Sequence, residues 1–472
     1  MINSIEMTTP LAAGKHLDWW LNARFGMSLH WGLYSIPGRG EWIRSSERLT
    51  IEQCQPFFDT FSPDVGCCRE WARLAREAGA QYVVLTAKHH DGFCLWDSAL
   101  TDYKATNTLA RRDLIREYVE ALRAEGLRVG LYYSLVDWHH PDYGPVFGDR
   151  QHPLRHDPHQ RQLDPSRDWS RYVQYMHGQV EELMSNYGTI DVLFFDFSYW
   201  DFAGEQWGAT ELMQKIRKVQ PNVVVNDRLG SEEIKSASPQ PYVGDFDHAE
   251  QNIPRHPVVD AAGRRVPWEA WFTLTNSWCH SEGDQDYKSA ATVVRALVNC
   301  VSKGGNLCLN IAPDGKGHLA DKTIEIVSKV GKWLAANGES IYGCGPANLP
   351  KPDWGRYTLS RDGRRLFAHV LDQQIGHISL EGLRGWVEQP HVLSSNRPAM
   401  LIDYWNPGVQ TFDAPDDVFL NTALPPQATW PLPDELDTVI RLDVVNDPAK
   451  RQAITQKMSQ AHEVALQRVP FD

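Results

Sequence analysis

The sequence predicts a (β/α)8-like TIM barrel followed by a small antiparallel β-sandwich domain. Between residues 24 and 230, apolar strand-like runs alternate with amphipathic helices, which favours a parallel sheet. Polar, aromatic or glycine residues follow the runs, where the strands of such a barrel deliver their side chains to one shared mouth. We expect the barrel to occupy residues 1–346, the sandwich residues 347–446 and a helical tail residues 447–472. An open doubly wound sheet is the alternative, although no GxGxxG motif follows the first strand.

The elements of the barrel follow in order from the apolar pattern. The first strand lies in RFGMSLHWG (24–32), and the spacing of Trp71, Leu74 and Ala75 predicts a helix within 62–80. The next strands are QYVVLTAKHHDG (81–92), RVGLYYSLVDWHHPDY (128–143), TIDVLFFDFSYW (189–200) and NVVVNDRLG (222–230). The helices between them are predicted over 114–127, 169–188 and 210–221.

The later chain has a different pattern. Residues 291–319 contain a helix, a Gly-Gly turn, a strand and a loop, which would close the barrel, and an amphipathic helix follows over 322–346. From about residue 350, short alternating runs such as RLFAHVLDQ and HISLEGL are separated by Pro, Gly and Asn, which indicates antiparallel strands. A surface helix is predicted over 447–469.

The composition excludes several classes of partner. The net charge is -13 and no stretch is strongly basic, so we expect neither nucleic acid nor an anionic membrane as a partner. The chain has 18 Trp, 16 Tyr and 16 Phe, and flat aromatic faces suit a neutral, hydroxyl-rich ligand. The eight Cys show no CxxC pairs, which predicts free thiols in a reducing cytoplasm. The oligomeric state is not indicated.

Carboxylates at the strand ends are the first candidates for chemistry. Asp196 follows two Phe residues at the end of a strand, and a buried carboxylate there needs a hydrogen-bonding partner or a function. A second acid is offered by Asp245, Asp247 or Glu250 in the loop GDFDHAEQNIP, or by Glu269 beside Trp268. Two carboxyl groups about 5–5.5 Å apart catalyse retaining glycoside hydrolysis, but sequence spacing does not establish that distance.

Three histidines are candidates for ligand binding. His30, His89 and His90 follow strand ends, but they lack the HxH or HxxxH spacing with a clear third ligand that a metal site favours. We therefore expect no metal and no cofactor. Neutral histidine hydrogen-bonds sugar hydroxyls well. If the strand continued through residues 89 and 90, one side chain would pack and the other would face the site.

The ordered motifs carry a resemblance. FGMSLHWGLYSIPGRGEW, YVVLTAKHHDGFCLWDS, VGLYYSLVDWHHPDY, IDVLFFDF, VNDRLGS, GDFDHAEQNIP, PWEAW and GGNLCLNIAPDGKG occur in the order found in the α-L-fucosidases of glycoside hydrolase family 29. The similarity covers roughly residues 17–345, and the β domain also fits the family's layout. The resemblance implies a barrel sometimes incomplete in its helices, a C-terminal β-sandwich, and retaining hydrolysis of fucosylated oligosaccharides through a covalent fucosyl-enzyme.

The resemblance also implies residue roles. Asp196 matches the nucleophile. Glu250 matches the acid/base through the similarity of GDFDHAE to the family's G-D-Y-x-T-P-E, with Glu269 as the second choice and Asp247 as the third. The positions that match contacts near the sugar are His30, Trp31, Glu41, Trp42, His89, His90, Tyr133 and Arg228.

The sequence departs from the family pattern next to the nucleophile. Phe194 and Phe197 stand where the family's W-x-D-G has Trp and Gly, and bulk beside Asp196 bears on which sugar or aglycone fits. Two alternatives follow: a retaining hydrolase for a related sugar such as an α-L-galactoside, and a catalytically silent fucose-binding protein. Metal-dependent hydrolysis is a further alternative.

Overall fold

The computed structural model describes residues 14–143, 148–198, 202–230, 233–373, 378–402, 416–421 and 432–467. Within them the chain forms two compact units: residues up to 288 together with 306–329, and residues 289–305 together with those from 330 onwards. The boundaries predicted from the sequence at residues 346 and 446 stay a prediction. The predicted segments that include residues 1–13, 199–200 and 468–472 extend outside the described residues.

The first unit contains eight parallel strands, which confirms the predicted barrel. They are β1 (Phe25–Leu29), β2 (Tyr82–Lys88), β3 (Arg128–Ser134), β4 (Val192–Asp196), β5 (Val224–Val225), β6 (Asp247–Glu250), β7 (Trp268–Thr273) and β8 (Asn306–Ile311). The strand order is β5-β4-β3-β2-β1-β8-β7-β6. The two edge strands meet through a parallel bridge between Asn226 and Phe246, so the sheet returns on itself as a (β/α)8-like barrel does.

Helices follow most of the strands. They are α1 (Asp18–Ala23), α2 (Ile43–Ser46), α3 (Ile51–Thr60), α4 (Cys67–Glu77), α5 (Leu114–Ala124), α6 (Pro158–Leu163), α7 (Trp169–Asn186), α8 (Ala209–Val219), α9 (Ala290–Ser302) and α10 (Asp321–Asn337). Among the described residues no α-helix lies between β5 and β7, so the helical layer is incomplete there. Asp113 and Asp168 cap α5 and α7 by accepting backbone N–H bonds.

The interior of the barrel explains why its strands are almost continuously apolar. Every residue of β1, β2, β7 and β8 is buried, because one face packs inside the barrel and the other packs outward. Tyr82, Val84, Tyr132, Phe194 and Trp271 belong to one core cluster. This packing fixes the ends of the strands, which carry the polar residues described below.

The second unit contains two antiparallel sheets, which confirms the predicted β domain. The first sheet comprises β9 (Cys344–Pro346), β10 (Gly355–Ser360), β11 (Arg365–Val370), β13 (Val387–Val392), β14 (Arg397–Pro398) and β17 (Thr438–Val444), and the second comprises β12 (Ile378–Leu380), β15 (Met400–Ile402) and β16 (Val418–Asn421). Leu366 and Ile440 of the first sheet share one apolar core with Leu380 and Leu420 of the second. The final helix is α11 (Pro448–Gln467). No helix in the described part of the chain is long and apolar enough to cross a membrane.

Candidate active site

A cavity of about 80 Å³ lies where the carboxyl ends of the barrel strands meet. Its lining combines three acids, one arginine, four histidines and six aromatic side chains: Asp196, Glu250, Glu41, Arg228, His30, His89, His90, His248, Trp42, Tyr132, Phe194, Phe197, Trp271 and Trp278. The position is the one that a barrel offers for an active site. Of the twelve residues with a predicted catalytic or sugar-binding role, eight line this cavity and four do not.

Asp196 ends β4 with both carboxylate oxygens occupied by donors. Oδ2 accepts from the hydroxyl of Tyr132 at 2.5 Å. Oδ1 accepts from the backbone N–H of Phe197 at 2.8 Å and from Nη1 of Arg228 at 2.6 Å. These bonds fix the orientation of the carboxylate at the end of the strand.

Arg228 connects the two candidate catalytic acids. Its Nη1 lies 2.6 Å from Oδ1 of Asp196, and its Nη2 lies 2.6 Å from Oε2 of Glu250. One planar guanidinium therefore holds a carboxylate at each of two nitrogens. The Glu250 side chain is 42% exposed and the Asp196 side chain only 17%, so only one of the acids has ready access to bulk water.

The alternation of side chains along β6 distinguishes Glu250 from Asp247. His248 and Glu250 line the cavity. Asp247, which directly precedes His248, instead pairs with Lys235 at 2.9 Å and lies beside Asp227. Successive side chains of a strand point to opposite faces, so both acids cannot face one cavity. The structure thus places Asp247, the third choice as acid/base, outside the cavity. Burial and the neighbouring Asp247 carboxylate raise the pKa of Asp227 to about 8.

The structure also places Glu269, the second choice, away from the cavity. It lies near the amino-terminal end of β7 and is fully buried, with the Tyr82 hydroxyl donating to Oε2 and Nε1 of Trp271 donating to Oε1 at 2.5 Å. Burial raises the pKa of Glu269 to about 7. Its role is to hold the indole of Trp271, which lines the cavity and stacks on Phe194 at 4.2 Å.

The two adjacent histidines both line the cavity, so the expectation that one of them packs elsewhere was wrong. Strand β2 ends at Lys88 after a register shift between Thr86 and Lys88, and the chain turns at once, with Gly92 N–H donating to the His89 carbonyl. The rings of His89 and His90 lie 4.1 Å apart. The irregularity redirects the side chains at the strand end, as bulges near active sites commonly do.

Lys88 anchors this turn from behind. Its ammonium group is fully buried and lies 3.1 Å from Oδ2 of Asp137 and 4.4 Å from the ring centre of Tyr133. Removing one partner of such a buried ion pair strongly destabilises the folded protein, because the other charge is left uncompensated. Strand β2 therefore ends in a buried, ion-paired lysine, and the two histidines that follow it face the cavity.

The histidines of the cavity are neutral. Burial lowers the pKa of His30 to about 4, although the side chain of Asn310 bonds its Nδ1 at 2.8 Å. Burial also lowers the pKa of His89, His90 and His248 well below the usual value. Neutral imidazoles both donate and accept hydrogen bonds, which suits hydroxyl groups. Within the described residues, no three His, Cys, Asp or Glu side chains form a metal-binding group.

Glu41 and Trp42 line the cavity as the sequence predicted. Glu41 accepts from the backbone N–H of Cys279 at 3.3 Å, and burial raises the pKa of its carboxyl group. The Trp42 ring lies 4.9 Å from that of His90 and 5.8 Å from that of Phe197. This part of the wall offers flat aromatic faces beside hydrogen-bonding groups.

Trp31 and Tyr133, predicted near the sugar, lie outside the cavity. Trp31 is buried against Phe61 and Trp71. Tyr133 donates its hydroxyl to Gln179 in α7, whereas its neighbour Tyr132 faces the cavity and bonds Asp196. The two tyrosines are on opposite faces of β3, so the prediction was displaced by one residue.

Four further lining residues were missed: Tyr132, His248, Trp271 and Trp278. Side-chain alternation could have found His248, which lies two residues before Glu250. Trp271 lies two residues after Glu269 and so shares its side of β7, but it is nearer the end of the strand where the cavity lies. Trp278 lies in a loop after β7, and its ring approaches that of His30 to 5.0 Å. No regular spacing in the sequence indicates that contact.

Phe197 has a strained backbone beside Asp196. Its φ is 78°, in the left-handed region that favours glycine, and its ring lies 5.0 Å from that of His90. Such a conformation in a bulky residue costs on the order of 1–3 kcal/mol and persists only where the surroundings impose it. The conformation directs the Phe197 N–H to Asp196 while its ring lines the cavity.

The fold and the site are those of a glycoside hydrolase: a barrel with acidic side chains and neutral imidazoles in a small cavity at the strand ends. The sequence model of the family described as alpha-L-fucosidase matches residues 5–339. Tissue alpha-L-fucosidase from Rattus norvegicus is 32% identical over 355 residues, covering 70% of each chain. An alpha-L-fucosidase from Dictyostelium discoideum is 26% identical and covers 85% of this chain and 91% of its own. The chain belongs to the alpha-L-fucosidase family.

Solved structures are similar to this one over most of the chain. Alpha-L-fucosidase isoenzyme 1 from Paenibacillus thiaminolyticus is 51% identical, with a TM-score of 0.87 over 92% of this chain and 99% of that one. An alpha-L-fucosidase from Bacteroides thetaiotaomicron is 25% identical, with a TM-score of 0.77 over 93% of this chain and 98% of that one. The latter structure is described as a trapped covalent intermediate in complex with 2-fluoro-fucosyl fluoride, obtained with a Glu-to-Gln mutant.

Proposed function

We propose that this chain is a retaining α-L-fucosidase that releases terminal α-L-fucosyl units from oligosaccharides or glycoconjugates, with Asp196 as nucleophile and Glu250 as acid/base. The observation that carries the proposal is the Arg228 guanidinium, which bonds both carboxylates at 2.6 Å in one cavity. A retaining mechanism requires two carboxyl groups close enough to act on opposite sides of one glycosidic bond.

The first step breaks the glycosidic bond. A carboxylate oxygen of Asp196 forms a bond to the anomeric carbon, and the electron pair of the breaking bond goes to the leaving oxygen. Glu250 transfers its proton to that oxygen, so the aglycone departs as an alcohol. Because Glu250 is the more exposed of the two acids, it can exchange its proton with solvent.

The second step releases fucose. Glu250, now a carboxylate, accepts a proton from water while the water oxygen attacks the anomeric carbon and the bond to Asp196 breaks. Two inversions give net retention. The residues proposed to hold the sugar are His30, His89, His90 and Glu41, which offer hydrogen bonds, and Trp42, which offers an aromatic face. The trapped covalent intermediate of the Bacteroides thetaiotaomicron enzyme supports the covalent path.

The nucleophile is tested by Asp196→Asn with an aryl α-L-fucoside as substrate. The amide keeps the size of the side chain but is a very poor nucleophile, so kcat/KM should fall by more than about 10³-fold while the melting temperature stays near that of the wild type. Substantial residual activity, with contamination excluded, would remove Asp196 from this role.

The acid/base is tested by Glu250→Ala, with Glu269→Gln as the matched control. The Ala variant should lose activity on natural fucosides, and azide should accelerate its turnover of an aryl fucoside because azide needs no general base. Glu269→Gln should stay within about tenfold of the wild type, since it lies outside the cavity. The opposite ranking would transfer the role to Glu269.

Two alternative functions are separated by the same assays. Preference for an aryl α-L-galactoside would identify a hydrolase for that related sugar, and fucose binding without turnover would identify a silent binding protein. The presence of both carboxylates in the cavity counts against a silent protein. We also propose a reducing, cytoplasmic location, which the eight buried free cysteines support.

A further inference from the structure

A second cavity lies beside the candidate active site. It has a volume of about 410 Å³ and is formed by the segment after β3 together with α6. Its lining includes Trp138, His139, His152, Gln160, Leu163 and Arg167. The catalytic cavity, at about 80 Å³, is far below the roughly 300–1,000 Å³ of typical ligand pockets, so only a terminal unit fits there. The remainder of an oligosaccharide has to be held elsewhere.

Trp138 lies between the two cavities. Its ring lies 5.4 Å from the ring of Trp42 and 5.4 Å from that of His90, both of which line the catalytic cavity. Its backbone N–H donates to the His90 carbonyl at 2.9 Å, and its Nε1 donates to Asp149 at 3.0 Å. One side of the Trp138 indole therefore contacts the wall of the catalytic cavity, and the second cavity lies on its other side.

His152 is a buried polar group in the second cavity with hydrogen-bonding capacity to spare. The residue is only 4% exposed, and its Nδ1 accepts from the Leu154 N–H at 3.1 Å. Its Nε2 makes no hydrogen bond within the described part of the chain. Burial, together with Arg44 and other nearby arginines, lowers its pKa to about 3, so the ring is a neutral donor.

Helix α6 presents a polar and an apolar group to the same cavity. Gln160 and Leu163 are three residues apart and so lie on one face of the helix. The Gln160 carbonyl oxygen accepts from Arg167 at 2.6 Å, and the Arg167 guanidinium also bonds Pro141 and Asp164. Because this cation is already engaged, the cavity favours neutral hydroxyl groups over an anionic ligand.

We propose that the second cavity binds a neutral saccharide, namely the part of the substrate to which the fucosyl unit is attached. His152 and Gln160 offer hydrogen bonds to hydroxyl groups, and Trp138 and Leu163 offer apolar contact to sugar C–H faces. This inference rests on the proposed fucosidase function. If the inference holds, the segment after β3 determines how strongly the enzyme prefers longer substrates.

The test compares an aryl α-L-fucoside with neutral fucosylated tetrasaccharides that represent each common linkage. The variants are His152→Asn, which keeps an acceptor for the Leu154 N–H, and Gln160→Ala. Each should lower kcat/KM by about tenfold on the preferred tetrasaccharide, as expected for a lost hydrogen bond, and change it by less than about twofold on the aryl fucoside. The matched control is His159→Ala, because His159 is exposed on α6 and does not line the cavity.

The outcomes separate this inference from the function on which it rests. Equal effects on both substrates, no effect on either, or a wild-type enzyme that cleaves no tetrasaccharide better than the aryl fucoside would each overturn the proposed subsite while leaving the fucosidase function intact. A wild-type chain that cleaves neither substrate would refute the proposed function, and the subsite with it. Melting temperatures for all variants verify that they fold.

Discussion

The guanidinium of Arg228 joins two carboxylates that would otherwise repel each other in a small cavity. It bonds Asp196 and Glu250 through different nitrogens, each at 2.6 Å. A lysine in this position could not present two donors in a fixed plane. The geometry of a single side chain thus sets the distance and orientation between the proposed nucleophile and the proposed acid/base.

Phe197 provides a prediction about strain at the same scale. Its φ of 78° is unfavourable for any residue with a Cβ atom and free of cost for glycine. Phe197→Ala and Phe197→Gly both remove the ring, but only the Gly variant relieves the backbone. We therefore expect the Gly variant to be more stable than the Ala variant by about 1 kcal/mol in its free energy of unfolding. Chemical denaturation measures this difference, and an equally or more stable Ala variant would contradict the strain.

At the scale of the elements, the shortness of β5 creates a gap that a side chain fills. Strand β5 contains only Val224 and Val225, so the ladder with β4 ends before Asp196. The side chain of the buried Asn226 continues it, accepting from the Phe195 N–H and donating to the Phe195 carbonyl, both at 2.8 Å. The amide therefore substitutes for one rung of the sheet directly before the candidate nucleophile.

Removing that amide should destabilise the barrel. Asn226→Ala leaves the N–H and the carbonyl of Phe195 buried without partners, at a cost of about 2–4 kcal/mol in the free energy of unfolding. Activity should fall as well, because Asp196 follows on the same strand. Asn222→Ala is the matched control, since Asn222 is exposed in the turn before β5. Urea denaturation of both variants gives the comparison, and similar losses would show that the bonds of Asn226 contribute little.

The sequence predicted these elements well because apolar periodicity reports burial directly. The helices observed at 67–77, 114–124 and 169–186 lie inside the predicted ranges. The register shift between Thr86 and Lys88 was not predictable, since nothing in the local pattern distinguishes it from a regular strand. For that reason the predicted side-chain directions of His89 and His90 were wrong, although both residues were recognised as candidates for ligand binding. The choice between Glu250 and Glu269 likewise depends on strand position, which sequence spacing does not give.

At the scale of the whole molecule, the interior of the barrel mouth holds several imidazoles in the neutral state. His30 has its pKa lowered to about 4 by burial, against about 6.5 in an unfolded chain. Between these values the unfolded chain binds a proton at residue 30 and the folded protein does not. The contribution of His30 to stability is therefore fully present above pH 6.5 and is lost as the pH falls toward 4.

This dependence on the protonation of His30 predicts how the stability difference between the wild type and a His30 variant changes with pH. The free energy of unfolding of the wild type minus that of His30→Asn should shrink by up to about 3 kcal/mol between pH 7 and pH 4. Taking the difference cancels the other titrating groups that the two proteins share. Urea denaturation across this range measures it. A difference that does not vary with pH would mean that His30 titrates normally in the folded protein.

The closure of the barrel was predicted only in outline. Alternating runs indicated a parallel sheet, but the bridge that closes it joins Asn226, directly after β5, to Phe246, directly before β6. The incomplete helical layer between β5 and β7 was anticipated only through the family resemblance. Long-range closure depends on tertiary packing, which local periodicity does not encode.

Covalent labelling of the nucleophile tests the central claim most directly. A 2-fluoro-fucosyl fluoride reacts quickly because fluoride leaves readily, and the 2-fluoro group slows hydrolysis of the resulting ester, so the fucosyl-enzyme accumulates. Mass spectrometry of the intact chain and of its peptides should find one 2-fluoro-fucosyl group, attached to Asp196, and none in the Asp196→Asn variant. Attachment to another carboxylate, or turnover with inversion and no covalent adduct, would contradict the account.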